Sequence, residues 1–138
     1  MIEESTYYFK QAGKVMNEYY ANEGQLNAVI GTRKYIDNHF DKDLKLDLLS
    51  DVRFTSKFHL LRLFKKYYGQ TPKQYIIGKR IEKAKEFLKK GRTITDTCFE
   101  VGFDTPSSFS TLFKCRVGLT PTEFQKRATF TKFDKFSF

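Results

Sequence analysis

The sequence lacks the features that mark membrane-spanning and secreted proteins. No run approaches the ~18 apolar residues that a transmembrane helix requires, and no signal-peptide pattern opens the chain. The two cysteines, Cys98 and Cys115, have neither metal-site spacing nor the pattern of a disulfide framework. We therefore expect a cytoplasmic protein in which both cysteines are reduced packing residues, with a redox switch as the alternative.

Catalytic and metal-binding patterns are missing as well. His39 and His59 have no cysteine, histidine or carboxylate cluster at ligand spacing. No serine or cysteine nucleophile has a recognisable partner base. We expect both histidines to be structural or surface residues, and the sequence predicts no enzyme, no cofactor and no metal.

Negative charge is scarce in the middle of the chain. Residues 53–92 hold 13 Lys and Arg against Glu82 and Glu86, a local charge of +11, whereas 1–52 sum to −3 and 93–138 to +1. Such a block is typical of a protein with a polyanionic partner, and it lacks the unburied apolar face of a membrane-surface helix. A nucleic acid is the favoured partner, and a solubilising surface is the alternative.

The sequence does contain a repeat. Leu63-Phe64-Lys65 is followed by Gly69-Gln70-Thr71-Pro72, and 49 residues later Leu112-Phe113-Lys114 is followed by Gly118-Leu119-Thr120-Pro121. Glycine suits the end of a helix, and Thr-Pro followed by Gln or Glu is a capping box that opens the next helix. The repeat therefore indicates two copies of one small helical module.

Apolar periodicity places the helices, and no segment has a strand pattern. The predicted fold is all-α, with about seven helices in two helix-turn-helix subdomains joined by a long linker helix, plus an N-terminal extra helix. The predicted divisions are a helical extension at 1–24, a first subdomain at 25–70, the linker helix at 71–91, a second subdomain at 92–127 and a loosely attached tail at 128–138. The helices are expected over 3–21, 25–40, around 46–52, 57–68, 72–90, 94–101 and 106–117, with a last short one from Pro121. Asn22-Glu23-Gly24 is expected to break the chain before the second helix, whose buried stripe is expected to consist of Leu26, Val29, Ile30, Ile36 and Phe40.

The helical period leaves one face of the second helix in each module outward. In the first module the outward residues are Lys57, Phe58, Leu61, Arg62 and Lys65, because Leu60, Leu63, Phe64 and Tyr67 are expected in the core. In the second module the outward residues are Pro106, Ser107, Ser110, Thr111 and Lys114, with Phe109, Leu112, Phe113 and Val117 inward. An exposed Phe58 or Leu61 suits a thymine methyl group, and Arg62 suits a guanine edge. The alternatives are a core-edge position for Phe58 and a phosphate or glutamate partner for Arg62.

The sequence resembles the DNA-binding domain of the AraC/XylS family of bacterial transcription regulators over residues 26–127. The residues that carry the resemblance are Ser56 to Lys65, Gly69, Pro72, Tyr75, Arg80, Ala84, Leu88, Ile94 to Asp96, Glu100 to Phe103, Ser107 to Phe109, Phe113-Lys114, Gly118 and Thr120-Pro121. The resemblance implies a monomeric domain that places two recognition helices in successive major grooves of double-stranded DNA, about 34 Å apart, on a non-palindromic site. In the family, the positions that match Phe58, Leu61 and Arg62 contact bases.

The predicted site follows from these faces. Base contacts are expected from Lys57, Phe58, Leu61, Arg62, Pro106, Ser107, Ser110 and Thr111, and phosphate contacts from Lys65, Thr71, Lys114 and Thr120. A solvated surface position is the alternative for either lysine. The chain has Thr111 where the family commonly has arginine, and Thr97 where a larger aliphatic residue is usual. We therefore expect the second module to read DNA weakly, and the first module with the linker helix to dominate affinity.

The leading interpretation is a sequence-specific, nucleoid-associated transcription regulator that activates transcription and contacts RNA polymerase, as the resemblance implies. The alternative is a non-enzymatic module that binds protein or a small ligand through the aromatic helix at 3–21. The chain is expected to be a stand-alone regulator or the DNA-binding half of a longer protein. Its initiating Met1 and extra N-terminal helix favour the first.

Overall fold

Helices make up the described part of the molecule. The computed structural model describes residues 23–45, 47 and 56–134, with side chains as far as 130. The helices are α1 at 23–39, α2 at Lys57–Tyr68, α3 at Pro72–Lys89, α4 at Ile94–Glu100, α5 at Pro106–Val117 and α6 at Pro121–Asp134. No strand lies within these residues, so the all-α prediction is confirmed. The helices predicted at 3–21 and around 46–52 lie outside the described residues.

The helix ends form where local chemistry predicts them. Thr71 and Thr105 each accept a hydrogen bond from the backbone N–H three residues later (3.2 Å in both), and proline follows each threonine. Gly69 and Gly118 end α2 and α5 with φ of 72° and 86°, a left-handed conformation that glycine adopts without a Cβ clash. Among the described helices, none is long and apolar enough to cross a membrane.

Two hydrophobic cores lie along α3. The first consists of Val29, Ile36, Leu60, Leu63, Phe64 and Ile76. The second consists of Ile81, Ala84, Leu88, Cys98, Val101, Phe103, Phe109 and Phe113. The first turns of α3 therefore belong to the core of α1 and α2, and its later turns belong to the core of α4 and α5. Both cores contain residues of the same helix, so α3 connects them.

Two predictions about α1 are wrong. Glu23 and Gly24, expected to break the chain before this helix, are already helical. A glycine costs a helix only about 1 kcal/mol relative to alanine, and Gly24 is exposed. Leu26, expected in the buried stripe, is 38% exposed. The buried stripe begins one turn later, at Val29.

The prediction that Tyr67 is buried is also wrong. Tyr67 is 36% exposed, and Tyr68 packs partly buried against the first core instead. The Tyr68 ring lies 4.8 Å from the Phe64 ring and 6.3 Å from the Tyr75 ring, measured between centroids. Residues four apart share a face of a helix, so Phe64 aligns with Tyr68.

The predicted loose tail is partly helical. The last helix, expected to be short, continues to Asp134. No glycine or proline interrupts residues 122–134, so nothing in the chain stops propagation. Apolar periodicity did not show this extension, and Phe130, the last residue with a described side chain, is 70% exposed.

Candidate nucleic-acid interface

The outward face of α2 is basic and aromatic. Lys57, Phe58, Arg62 and Lys65 are exposed, and Phe58 is 77% exposed. That exposure contradicts the alternative that Phe58 caps the edge of the core. Leu61 is half-buried, because it lines the cleft beside α3. The face therefore combines an exposed ring with cations, a composition suited to base edges and phosphates.

The outward face of α5 is polar and nearly uncharged. Pro106, Ser107, Thr111 and Lys114 are exposed, and Ser110 is half-buried. The Thr111 hydroxyl donates to the Ser107 carbonyl oxygen (3.0 Å), so its proton is already engaged within the helix. Compared with α2, this helix offers short hydroxyls and a single lysine.

Both helices border one cleft. The cleft has a volume of about 700 Å³. Leu61 of α2 and Ser108 and Leu112 of α5 line it, and the start of α3 contributes Thr71 and Lys73. Leu61 is a predicted base-contact residue, whereas Ser108 and Leu112 are neighbours of the predicted readers on α5. The cleft therefore brings α2 and α5 together beside the start of α3.

Most cations of the linker helix have partners within the protein. Lys79 lies 3.5 Å from Asp37, and the Lys83 and Lys85 ammonium groups lie 3.1 Å and 3.5 Å from Glu86 and Glu82. Arg92 pairs with Glu100. These pairs are exposed and individually weak, but they reduce the positive charge available along α3.

The cations of α2 and of the first turn of α3 have fewer carboxylate partners than those farther along α3. Arg62, Lys65 and Lys73 have no carboxylate partner within the part of the chain that the structure describes. Lys57 pairs with Asp47 at 3.8 Å, and that carboxylate is largely exposed. Within the described residues, α2 and the start of α3 therefore carry positive charge that no carboxylate neutralises.

The predicted phosphate contacts at Thr71 and Thr120 lie in matched capping boxes with different charges. The Thr71 N–H donates to Gln74 Oε1 at 2.9 Å, and the Thr120 N–H donates to Glu123 Oε2 at 3.3 Å. Both amides are therefore engaged. The helix dipole favours an anion at either place, but at Thr120 the carboxylate of Glu123 already supplies one.

The remaining reactive side chains have structural surroundings. His39 Nδ1 lies 2.9 Å from the Tyr35 carbonyl oxygen, and His59 is exposed. Cys98 is buried, and burial raises the pKa of its thiol. Cys115 is exposed on the outer side of α5, so the prediction that both cysteines pack in the core is wrong for this residue. Within the described residues, no group of histidine, cysteine or carboxylate side chains could hold a metal.

Arg80 and Arg116 have contacts that the sequence did not predict. Arg80 donates to the Phe40 and Lys42 carbonyl oxygens, and Arg116 donates to the Gln74 carbonyl oxygen. Burial lowers the pKa of Arg80 below its usual range, and nearby carboxylates, Asp104 foremost, oppose that shift. The sequence marked Arg80 only as one of the residues that carry the family resemblance, and it gave no signal for the contact of Arg116.

Known proteins share this arrangement. A family profile described as a helix-turn-helix domain matches residues 49–127, more than half of the chain. The C-terminal domain of AraT, a response regulator from Geobacillus stearothermophilus, is 31% identical, with a TM-score of 0.70 over 72% of this chain and 84% of that one. The chain belongs to the AraC/XylS family. The resemblance seen in the sequence is thereby confirmed.

Other members of the AraC/XylS family agree in fold and in sequence. A probable AraC family regulator from Rhodopseudomonas palustris shares the fold at 23% identity, with a TM-score of 0.68 over 74% of this chain and 97% of that one. An HTH-type transcriptional regulator of Pseudoalteromonas carrageenovora is 36% identical over 92 residues, which are 67% of this chain and 55% of that protein. The chain thus spans about half the length of several curated relatives it matches.

Proposed function

We propose that this AraC/XylS-type domain binds double-stranded DNA sequence-specifically and regulates transcription. The observation that carries the proposal is the shared cleft, which Leu61 of α2 and Ser108 of α5 both line. Two recognition helices held beside one cleft can enter successive major grooves on one face of a duplex. One chain then covers two grooves, so we propose a monomer on a non-palindromic site.

The base contacts are proposed to come unequally from the two helices. Arg62 can bind a guanine bidentately, and Phe58 and Leu61 can contact thymine methyl groups, with Lys57 beside them. From α5, the proposed readers are Pro106, Ser107, Ser110 and Thr111. Their groups are small, and the Thr111 hydroxyl is engaged with the helix backbone. We therefore propose that α2 provides most of the specificity.

The phosphate contacts are proposed at Lys65, Thr71, Lys114 and Thr120, with Lys73 as an addition. Lys73 lies within the capping box of α3 and lines the cleft, where the duplex backbone between the two grooves would pass. Glu123 makes Thr120 the weakest of these sites, because a phosphate there meets a carboxylate. Affinity then depends mainly on α2 and the first turn of α3.

The experiment is selection from a random duplex library, followed by titration of the selected duplex against random duplexes at ~0.15 M salt. We expect a selected site of about two helical turns and a preference of at least about a thousandfold over random DNA. Equal binding to selected and random DNA would overturn the proposal. A palindromic selected site bound by two chains would overturn the monomer.

We further propose that the regulator activates transcription by contacting RNA polymerase. On a promoter that carries the selected site, we expect the protein to increase the transcript yield of purified polymerase. A decrease would make it a repressor. An unchanged transcript yield despite full occupancy of the site would exclude both activation and repression.

A further inference from the structure

Arg80 joins the two halves of the molecule through one side chain. From α3, its Nε donates to the Phe40 carbonyl oxygen (2.6 Å) and its Nη2 to the Lys42 carbonyl oxygen (2.7 Å). Both carbonyls lie just after α1. Its Cζ also lies 5.5 Å from the centroid of the Phe103 ring, in the turn between α4 and α5. The guanidinium thus contacts both subdomains.

Arg116 makes a second connection in the opposite direction. It lies near the C-terminal end of α5, and its Nη2 donates to the Gln74 carbonyl oxygen at 3.0 Å. Gln74 is in the first turn of α3, directly after the turn that ends α2 at Gly69. This hydrogen bond therefore links α5 to the start of α3, the helix that follows α2.

The two arginines flank the weakest point of α3. Gly78 lies between Ile76 of the first core and Ile81 of the second, and glycine destabilises a helix interior by about 1 kcal/mol relative to alanine. A Cβ at position 78 would lie 3.2 Å from Arg116 Nη1. The glycine therefore gives Arg116 room, and it leaves α3 locally weak where the two subdomains meet.

The backbone at Gly102 also lies very close to Arg80 and its contacts. At Gly102, where φ is 102°, a Cβ would lie 2.8 Å from the Asp41 carbonyl oxygen and 3.0 Å from Arg80 Nε. The turn after α4 thus sits directly against the chain after α1. Only a residue without a side chain allows the guanidinium to fit between these two segments.

We propose that Arg80 and Arg116 are positioning residues that fix the distance and angle between the reading helices α2 and α5. Arginine suits this role because its planar fork donates to two carbonyls at once and keeps its charge, whereas a lysine is a single point charge. The significance of a fixed distance rests on the proposed function, since two helices bind successive grooves together only if their separation matches the duplex.

The test measures the distance in the free protein, so it does not depend on DNA binding. Spin labels are attached at Lys66→Cys on α2 and Ser107→Cys on α5, in a Cys115→Ser background that leaves only buried Cys98 besides. Double electron–electron resonance then gives the distance distribution. We expect one narrow peak for the parent, and a distribution broadened by on the order of 3.4 Å, the rise of one base pair, for Arg80→Ala.

Matched variants separate positioning from charge and from stability. Arg80→Lys keeps the charge but loses the fork, so it should broaden the peak like Arg80→Ala, and Arg116→Ala should broaden it less. Lys85→Ala removes a cation of the same helix whose carboxylate partner among the described residues is Glu82, and its peak should match the parent. If Arg80→Ala fails to fold, Arg80→Lys and Arg116→Ala decide the question.

A second measurement connects the distance to binding. With unlabelled protein, we expect Arg80→Ala to lose at least about fivefold affinity for the two-groove site while keeping the parent affinity for the α2 half alone. Narrow peaks in every arginine variant would overturn the inference even if DNA binding is specific. Broadened peaks in a protein without sequence preference would instead uphold the inference and overturn the proposed function.

Discussion

The two helix-turn-helix subdomains share a scaffold but present different surfaces. Helices α2 and α5 both have 12 residues, begin at a hydroxyl cap and end at a left-handed glycine followed by a Thr-Pro capping box. Their outward faces differ, with Phe58 and Arg62 on one and Ser107 and Thr111 on the other. Backbone geometry restricts the residues of the scaffold, whereas solvent-facing positions of the same repeat are free to diverge.

The largest expected effect concerns the cores of the two subdomains, which we expect to be equally important for stability. Phe64 and Phe113 occupy matching positions of the repeat, and both are fully buried. We expect Phe64→Ala and Phe113→Ala each to lower the free energy of unfolding by about 3–5 kcal/mol, measured by urea denaturation. Phe→Leu at the same positions is the milder control. A loss under about 1 kcal/mol at one position only would break the equivalence.

The next largest effect concerns the outward faces of α2 and α5, which we expect to contribute unequally to DNA binding. We expect Arg62→Ala to weaken binding to the selected site by about 1–3 kcal/mol, because a bidentate base contact is lost. Thr111→Ala should cost less than about 0.5 kcal/mol, since its hydroxyl bonds the helix backbone. Fluorescence anisotropy titrations measure both. An equal or larger loss from Thr111→Ala contradicts the inequality.

Substitution of Phe58 distinguishes a role in DNA binding from a role in stability. We expect Phe58→Ala to weaken binding by about 1 kcal/mol through the lost thymine contact. Because the ring is 77% exposed, the free energy of unfolding should change by no more than about 0.5 kcal/mol. A large loss of stability without a loss of affinity would make Phe58 a packing residue.

The smallest expected effect comes from exchanging the glutamine and glutamate of the two capping boxes. Gln74→Glu adds a carboxylate beside the Thr71 phosphate site, and Glu123→Gln removes one beside Thr120. We expect the first to weaken and the second to strengthen DNA binding, each by about 0.3–1 kcal/mol at low salt. Both changes should fade as salt rises. An unchanged affinity or a shift of the opposite sign in either variant would show that the helix start concerned does not face a phosphate.

Local chemistry explains which parts of the fold the sequence predicts well. The ends of α2, α3 and α5 depend on glycine, proline and hydroxyl residues within a few positions, so they appear in the sequence directly. The far end of α6 has no such marker, and Phe130 before it is exposed. Its extension to Asp134 was therefore not predicted.

Long-range contacts explain what was missed in the site. The outward positions of α2 and α5 follow from helical period, but Leu61 and Ser110 are half-buried by neighbours that the period does not include. Arg80 and Arg116 bond to carbonyls 40 and 42 residues away. Such pairs require the folded arrangement of the two subdomains, which no single repeat encodes.

We propose that α2 reads DNA and that α5 mainly supports its binding. The most direct test substitutes every base pair of the selected site in turn and measures the binding free energy of each duplex. We predict penalties of about 1–3 kcal/mol at two or more positions in the half facing α2, and smaller penalties throughout the other half. Equal penalties in both halves, or larger ones opposite α5, would contradict the account.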